Sequence, residues 1–102
     1  PGATNALTPC AAAWMDSVPI LFISGQAKST TLIGASGLRV RGVQEVDIIS
    51  MVKPITKWAY QLIPGFSQSM LSFGILRCLE GRQGPCWLDV PLDIQAEELE
   101  DV

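Results

Sequence analysis

Apolar residues recur at helical spacing in two long segments of the chain. Residues 4–17 are predicted to form the first helix, with Thr4 or Asn5 as its cap. Residues 67–80 carry the clearest helical stripe, and Gly81 is expected to end that helix. Both helices have one apolar side, which predicts that each packs against a neighbouring layer of the fold.

A shorter helix is predicted over residues 45–52, where Pro54 follows as the expected stop. Residues 28–43, before this helix, contain glycines and other small residues and show little periodicity. They predict a long loop, and long loops in compact domains usually carry function.

Three short runs are apolar at nearly every position, namely residues 20–23, 58–63 and 86–90. Residues 20–23 are apolar at every position, which is typical of a strand buried on both faces of a parallel sheet. The other two runs are predicted to be strands. Each run is expected to be closed by the residues that follow it, which are Ser24-Gly25, Pro64-Gly65 and Pro91. Helix and strand alternate three times, which predicts an α/β fold with a parallel sheet and a ligand site beyond the carboxyl ends of its strands.

Composition adds that this chain is unusually apolar for its size. Hydrophobic residues make up 48% and charged residues only 17%, with a mean hydropathy of +0.31. A small domain has much surface per volume and should be more polar than average. We therefore expect its apolar faces to be covered by further chain or by partner subunits, the alternative being a small, very apolar α/β domain.

Net charge argues against a nucleic-acid partner. The chain carries a net charge of −3 and its pI is about 4.7, so it has little with which to neutralise the phosphates of a nucleic acid. No apolar run approaches the roughly 18–20 residues of a membrane span, so no membrane contact is expected. Acidic residues concentrate over residues 94–102, which are interpreted as the start of a linker.

The cysteines and the lack of histidine narrow the chemistry. Cys10, Cys78 and Cys86 lie in apolar segments without a CxxC pair, which is typical of buried free thiols in a reducing cytoplasm. The sequence contains no His, so a hydrolytic triad or a zinc site is not expected from these residues.

Several other polar and aromatic residues are expected to have structural roles. Lys53 and Lys57 could reach an anionic ligand, although solvation is the simpler expectation. Asp16 and Asp89 are expected at the ends of elements, where capping and loop hydrogen bonds would suffice. The three tryptophans are expected as anchors in the core or at a subunit interface, and they are Trp14, Trp58 and Trp87.

Five segments in register resemble the pyrimidine-binding domain of thiamine-diphosphate-dependent enzymes, in particular acetolactate synthase large subunits. They are Pro1-Gly2-Ala3-Thr4-Asn5 and residues 13–26, 44–48, 53–57 and 84–93. The resemblance covers residues 1–102 and implies the later part of a flavodoxin-like domain. The first five residues are a loop that normally follows a strand, so the chain is expected to begin within a domain.

The resemblance implies an activity for a larger parent enzyme. Such enzymes decarboxylate a 2-keto acid such as pyruvate and transfer the acyl unit to a carbonyl acceptor, as in branched-chain amino acid biosynthesis. Their cofactors are thiamine diphosphate and Mg²⁺, and FAD is compatible with the resemblance. The site lies between the pyrimidine domain of one subunit and the diphosphate domain of another, which implies a homodimer or homotetramer. The activating Glu and the Mg²⁺ ligands would lie outside this chain, so the chain alone is expected to be inactive.

The resemblance also suggests site residues. Gly2 and Asn5 match the loop that approaches the aminopyrimidine ring, although Asn5 could serve only as a turn and cap. Gln44 matches a glutamine that lies by the substrate over the reactive carbon, where its amide could steady an oxyanion. The alternative for Gln44 is an exposed loop amide.

The substrate-pocket candidates are Gln26, Lys28 and Val43. Val43 stands where the family has Phe and Lys28 where it usually has Pro, and the loop before Gln44 is longer. These departures leave the acyl acceptor open. A non-oxidative 2-keto-acid decarboxylase or a specialised carboligase is therefore an alternative, as is a non-catalytic scaffold that kept the fold. The sequence lacks the glycine signatures of nucleotide-binding domains, which disfavours that class.

Overall fold

A computed structural model describes residues 2–29, 32, 36–40, 42 and 45–95 of the chain. After a 3₁₀ turn over Gly2–Ala6, the elements are α1 (Leu7–Asp16), β1 (Leu21–Gln26), α2 (Ile48–Val52), a second 3₁₀ turn (Lys53–Ile55), β2 (Trp58–Gln61), α3 (Gln68–Leu79), β3 (Cys86–Pro91) and α4 (Leu92–Gln95). The predicted alternation of helices and strands is confirmed.

The three strands form a parallel sheet in the order β1-β3-β2. This sheet, flanked by helices, confirms the predicted α/β class and is consistent with a flavodoxin-like fold. In the register, Ser24 of β1 and Gln61 of β2 both pair with Asp89 of the central strand β3. The three residues therefore lie side by side across the sheet.

Two core clusters form on opposite faces of the sheet. Trp87 packs in a cluster with buried residues of α1 and α2, while Leu88 packs with Leu62 and Ile94. Consecutive residues of a strand point to opposite faces, so β3 supplies the centre of both clusters. The apolar run of residues 86–90 is thus explained by a strand covered on both sides.

The first strand differs from its prediction in two ways. β1 continues through Ser24 and Gly25 and ends at Gln26, so the Ser-Gly pair does not close it. It is also one of the two edge strands of the described sheet, and Ile23 is 64% exposed. The expectation that this run is buried on both faces is therefore wrong for the described residues.

Two helix boundaries also differ from their predictions. Ala6 holds the cap position of α1 because Thr4 and Asn5 lie inside the preceding 3₁₀ turn, and its methyl side chain offers no acceptor for a cap bond. α2 begins at Ile48 and not at Glu45, whereas it ends at Val52 as predicted, and Pro54 lies inside the following 3₁₀ turn. Proline fits the first positions of a helical turn because no N–H donor is needed there.

Candidate functional site

The carboxyl ends of the parallel strands border a cleft of about 500 Å³. β1 reaches it with Gln26 and β2 reaches it with Gln61, each the last residue of its strand. An apolar strip over residues 62–64 forms one side. The polar lining consists of Gln26, Ser29, Glu45, Asp47 and Gln61. The cleft occupies the position at which open α/β sheets bind ligands.

A buried carboxylate lies directly behind this cleft. Asp89 is 0% exposed, and its Oδ2 accepts hydrogen bonds from Gln61 Nε2 at 2.9 Å and from Gln26 Nε2 at 3.1 Å. Its Oδ1 accepts from Ser24 Oγ at 2.8 Å. Three strands therefore meet in one polar cluster, which gives hydrogen-bond partners to a polar side chain that would otherwise be costly to bury.

Trp87 extends this polar cluster into the core. Its indole Nε1 donates to Ser24 Oγ at 2.8 Å, while its ring stacks on Phe22 with centroids 4.9 Å apart. Because Ser24 Oγ accepts from Trp87, its own hydrogen is directed at Asp89. The hydrogen-bond directions in the cluster are thereby fixed.

Gln26 links the cluster to the segment that precedes α2. Its Nε2 donates to the carbonyl oxygen of Val46 at 2.6 Å, and its Oε1 accepts from the N–H of Ala27 at 3.0 Å. Nearby, buried Glu45 accepts from the N–H of Gly42 at 3.0 Å. Gln26 thus uses both ends of its amide to hold the wall of the cleft.

A second groove, of about 390 Å³, lies between the first 3₁₀ turn and β1. Gly2 and Ala3 line it from one side, and Gly25 lines it from the other. A Cβ built on Gly2 would meet nothing within 4 Å, so the backbone faces open space there. Two segments that are far apart in the sequence are thus brought together, as a site at this edge requires.

The predicted site residues do not all lie in the same site. Gln26 lines the cleft, whereas Lys28 is exposed and is not part of the described lining. Gly2 lines the second groove, and Asn5 is exposed and does not line it. Val43 and Gln44 lie outside the described residues.

Sequence reasoning missed Asp89 and Gln61. Asp89 was expected at the end of an element, but it lies inside β3, where its neighbours exclude water entirely. The available signal was its position as the one charged residue in an apolar run. Gln61 gave a weaker signal, since it was read as part of a strand and not as part of a site.

The start of the long loop is held on α4 by Asp93. Its carboxylate accepts from the N–H of Ser29 at 2.9 Å and also from the Ser29 hydroxyl. These hydrogen bonds lower the pKa of Asp93, because they stabilise its ionised form. Asp93 thereby positions Ser29 at the rim of the cleft.

The three thiols are free and buried, which confirms their predicted structural role. Burial raises the pKa of Cys10 to about 11 and that of Cys86 to about 12, because the thiolate is poorly solvated in the core. The neighbouring Cys78 raises the pKa of Cys86 further. At neutral pH Cys10 and Cys86 are therefore protonated and unreactive.

Lys57 lies at the opposite end of the sheet from the cleft, just before β2. Its amine donates to the carbonyl oxygen of Glu80, and its side chain borders a separate groove with Trp14 and Arg82. It is therefore not a candidate for contact with a ligand in the cleft. In the part of the chain that the structure describes, no helix could span a membrane and no cluster of metal-ligating side chains occurs.

Similarity to known proteins extends along the whole chain. It is 37% identical over 103 residues to the acetolactate synthase large subunit of Corynebacterium glutamicum, covering 100% of the chain and 16% of that protein. It is 34% identical over 107 residues to the large subunit from Lactococcus lactis, covering 100% of the chain and 17% of that protein.

A third relative is the isozyme 1 large subunit of Escherichia coli, 36% identical over 102 residues, with 98% of the chain and 17% of that protein covered. The chain thus spans about a sixth of the length of these relatives. No protein-family model matches it. The resemblance to acetolactate synthase large subunits is confirmed.

Proposed function

Since the chain resembles one segment of acetolactate synthase large subunits, we propose that it is part of the pyrimidine-binding domain of a thiamine-diphosphate enzyme of that type. The enzyme decarboxylates a 2-keto acid such as pyruvate and transfers the acyl unit to a carbonyl acceptor. The observation that carries this proposal is the similarity at 34–37% identity along the whole chain. The cleft and groove at the carboxyl edge of the sheet give the chemistry a place.

The second groove fits the flat ring of the cofactor. Gly2 presents backbone without a side chain to it, and a Cβ there would meet nothing within 4 Å, so a planar heteroaromatic ring can approach closely. When bound, thiamine diphosphate supplies the nucleophilic carbon that attacks the 2-keto group. In this proposal the activating Glu and the Mg²⁺ ligands come from parts of the enzyme outside these residues, and FAD remains compatible with it.

The described residues would act by holding and orienting. Asp89 fixes the amides of Gln26 and Gln61, which gives the cleft a rigid polar wall. Gln44 stays a prediction from the resemblance, as the residue that contacts substrate over the reacting carbon. Val43 and Lys28 stay predicted pocket residues on the same basis.

Partner subunits complete the site in this proposal. The pyrimidine domain pairs with a second copy in a homodimer or homotetramer, and the diphosphate domain of a neighbouring subunit closes over the cofactor. The apolar side chains that the described residues leave exposed support such contacts, among them Phe73, Leu76 and Leu79 of α3.

Two other functions compete with this one. A decarboxylase or specialised carboligase is favoured by Val43 and Lys28, which replace residues that the family usually carries near the substrate. A non-catalytic scaffold would retain the fold without binding the cofactor. The decarboxylase or carboligase would differ from the proposed enzyme in its product, whereas the scaffold would differ in failing to bind the cofactor.

Calorimetry on the full-length protein that contains these residues tests the cofactor part of the proposal. Thiamine diphosphate should bind in the presence of Mg²⁺, and Gly2→Val should weaken binding by about tenfold or more, because a branched side chain fills the approach to the groove. Ala12→Val, at an exposed position of α1, is the matched control and should bind normally. Absence of binding to the unmodified protein would leave the scaffold as the better account.

A further inference from the structure

A groove of about 320 Å³ lies before the amino ends of β2 and β3, at the opposite end of the sheet from the cleft. The last turn of α1 forms one side of it, and the residues that precede the two strands form the other. We call it the basic groove, and its lining is Trp14, Met15, Lys57, Arg82 and Gln83. Its volume lies at the lower end of the range of about 300–1,000 Å³ that is typical of sites for small molecules.

The basic groove brings two cationic side chains together with one indole. Lys57 and Arg82 supply positive charge, and Trp14, which is 42% exposed, supplies a flat apolar surface. An ammonium has three N–H donors and a guanidinium has five, so each cation can bind an anion while it keeps its hydrogen bond to the protein. This combination fits a ligand that has both a negative charge and a planar apolar part.

A glycine positions the Lys57 side chain in the groove. The N–H of Lys57 donates to the carbonyl oxygen of Pro85 at 2.8 Å, and its amine donates to the carbonyl oxygen of Glu80. A Cβ built on buried Gly84 would lie 3.2 Å from Lys57 Cγ and 4.0 Å from Trp14 Cε3. The Lys57 stem and the Trp14 ring therefore approach the same point of the backbone, where Gly84 leaves room for both.

Arg82 is held from the side of α1. Its Nε donates to Ser17 Oγ at 2.7 Å, across 65 residues of the chain. Ser17 ends α1 with a φ of 58°, in the left-handed region that residues other than glycine rarely adopt. The hydrogen bond joins the end of α1 to the turn before β3 and restricts the guanidinium before any ligand binds. Such preorganisation lowers the entropic cost of binding.

The acidic residues nearest in the sequence do not line the basic groove. Asp16 is the exposed last residue of α1, and the carboxylate of Glu80 pairs with Arg77 at 3.4 Å. The charged side chains of the described lining are those of Lys57 and Arg82. The groove is therefore complementary to an anion, although the chain as a whole carries a net charge of −3.

We propose that the basic groove binds a small aromatic carboxylate, with its carboxylate at Lys57 and Arg82 and its ring on the indole of Trp14. The groove and the cleft share no described lining residue, so this binding does not rest on the function proposed above. It gives Lys57 the anionic ligand for which the sequence already made it a candidate.

Saturation-transfer NMR on the full-length protein that contains these residues tests the proposal with benzoate and benzamide. The two probes share the ring and differ in charge. Benzoate should bind about tenfold more tightly, as expected for hydrogen bonds between charged groups. Arg82→Gln should remove most of this preference. Arg39→Gln, the same change at another exposed position, should retain it.

Two further variants separate the charge from the ring contact. Lys57→Met keeps the apolar stem and removes the ammonium, so it should weaken the binding of benzoate and leave that of benzamide unchanged. Trp14→Leu removes the indole and should weaken the binding of both probes by about fivefold. A merely structural defect in Lys57→Met would weaken the binding of benzamide as well.

Equal binding of benzoate and benzamide to the unmodified protein would overturn the proposal, and so would the absence of binding by either probe. An unchanged preference for benzoate in both Arg82→Gln and Lys57→Met would also overturn it, because the probe would then bind elsewhere. An equal loss in Arg39→Gln and Arg82→Gln would do the same, since it would reduce the effect to net charge.

Discussion

Trp87 and Asp89 lie two residues apart on β3, and both reach Ser24 from the same face of the sheet. The Trp87 indole donates to Ser24 Oγ at 2.8 Å, and Ser24 Oγ donates to Asp89 at 2.8 Å. The chain separation between these partners is 63 and 65 residues. The local sequence therefore identified neither bond, since both depend on the register that pairs β1 with β3.

Trp87→Phe tests how much the indole hydrogen bond of Trp87 contributes to the stability of the sheet. The substitution removes the indole hydrogen bond to Ser24 and leaves a small void in the core, because Trp87 is only 1% exposed. Together these losses should lower the free energy of unfolding by about 2 kcal/mol. Hydrogen exchange in the peptides of β1 and β3 should rise by about thirtyfold, the equivalent of that free energy. Trp58→Phe is the control, because the indole N–H of the partly buried Trp58 makes no hydrogen bond among the described residues. Equal effects of both substitutions would contradict the role of the Trp87 bond.

The buried thiols give a pH-dependent prediction. The pKa of Cys10 is raised from 9.0 to about 11 and that of Cys86 to about 12, so the folded protein holds these protons more tightly than the unfolded chain does. The corresponding stability is full below pH 9 and is lost as the pH rises through 11 to 12.

Site-specific alkylation by iodoacetamide, read by peptide mass spectrometry, measures this directly. At pH 9 the modification of Cys10 and Cys86 should be at least about tenfold slower in the native protein than in urea, where the thiols are exposed and half ionised. Equal rates in the two conditions would show that the thiols are accessible in the native protein and that folding does not raise their pKa values.

At the scale of elements, α3 shows how packing decides what helix periodicity cannot. The stripe predicted its length closely, yet only Gly74 and Cys78 of this helix are buried. A Cβ built on Gly74 would lie 3.0 Å from Trp58 Cζ3 and 3.5 Å from Leu21 Cδ1. The close approach of α3 to the sheet therefore requires a glycine at this position, although helix propensity alone disfavours glycine.

Gly74→Ala should therefore destabilise the domain despite the better helix propensity of alanine. The Trp58 ring is held by stacking on Tyr60 and by an edge contact with Phe73, so it cannot yield easily. We expect a net loss of about 1 kcal/mol, seen as a lower unfolding temperature. Ser72→Ala, at an exposed position of the same helix, should be neutral or slightly stabilising. Equal stability of the two variants would contradict the packing argument.

The short helix α2 depends on its cap. Asp47 Oδ1 accepts from the N–H of Ser50 at 3.2 Å, and Oδ2 accepts from its hydroxyl at 2.7 Å. Asp47→Ala should cost about 1 kcal/mol and raise hydrogen exchange over residues 47–53. Asp16→Ala, at the exposed carboxyl end of α1, should have little effect, because an acidic residue gains nothing at that end of a helix. A stable α2 in Asp47→Ala would contradict the assigned cap.

Elements were predictable where the signal was local, and their ends were not. Hydrophobic period alone located α1, α3 and β3 to within a few residues. The end of β1 was missed because Gly25 and Gln26 pair with β3, and pairing with a distant strand overrides the turn preference of glycine. The same long-range pairing created the wall of the cleft, which explains why Gln61 escaped notice.

For the whole molecule, the exposed apolar surface accords with the unusual composition. Large apolar side chains lie exposed on α1, β1 and α3 among the described residues, including Met15, Ile23 and Leu76. Many large apolar side chains exposed on a small domain are consistent with contact with other protein. It fits the proposal that this chain works inside a larger assembly, in which neighbouring domains and subunits complete the site.

Identification of the product made from pyruvate tests the central claim most directly. Full-length protein containing these residues should be supplied with ¹³C-labelled pyruvate, thiamine diphosphate and Mg²⁺ and followed by NMR. We predict release of CO₂ and a new carbon–carbon bond that joins the two-carbon unit to the acceptor, both dependent on thiamine diphosphate. Free acetaldehyde as the sole product would favour the decarboxylase, and unchanged pyruvate in a protein that does not bind the cofactor would contradict the enzymatic account.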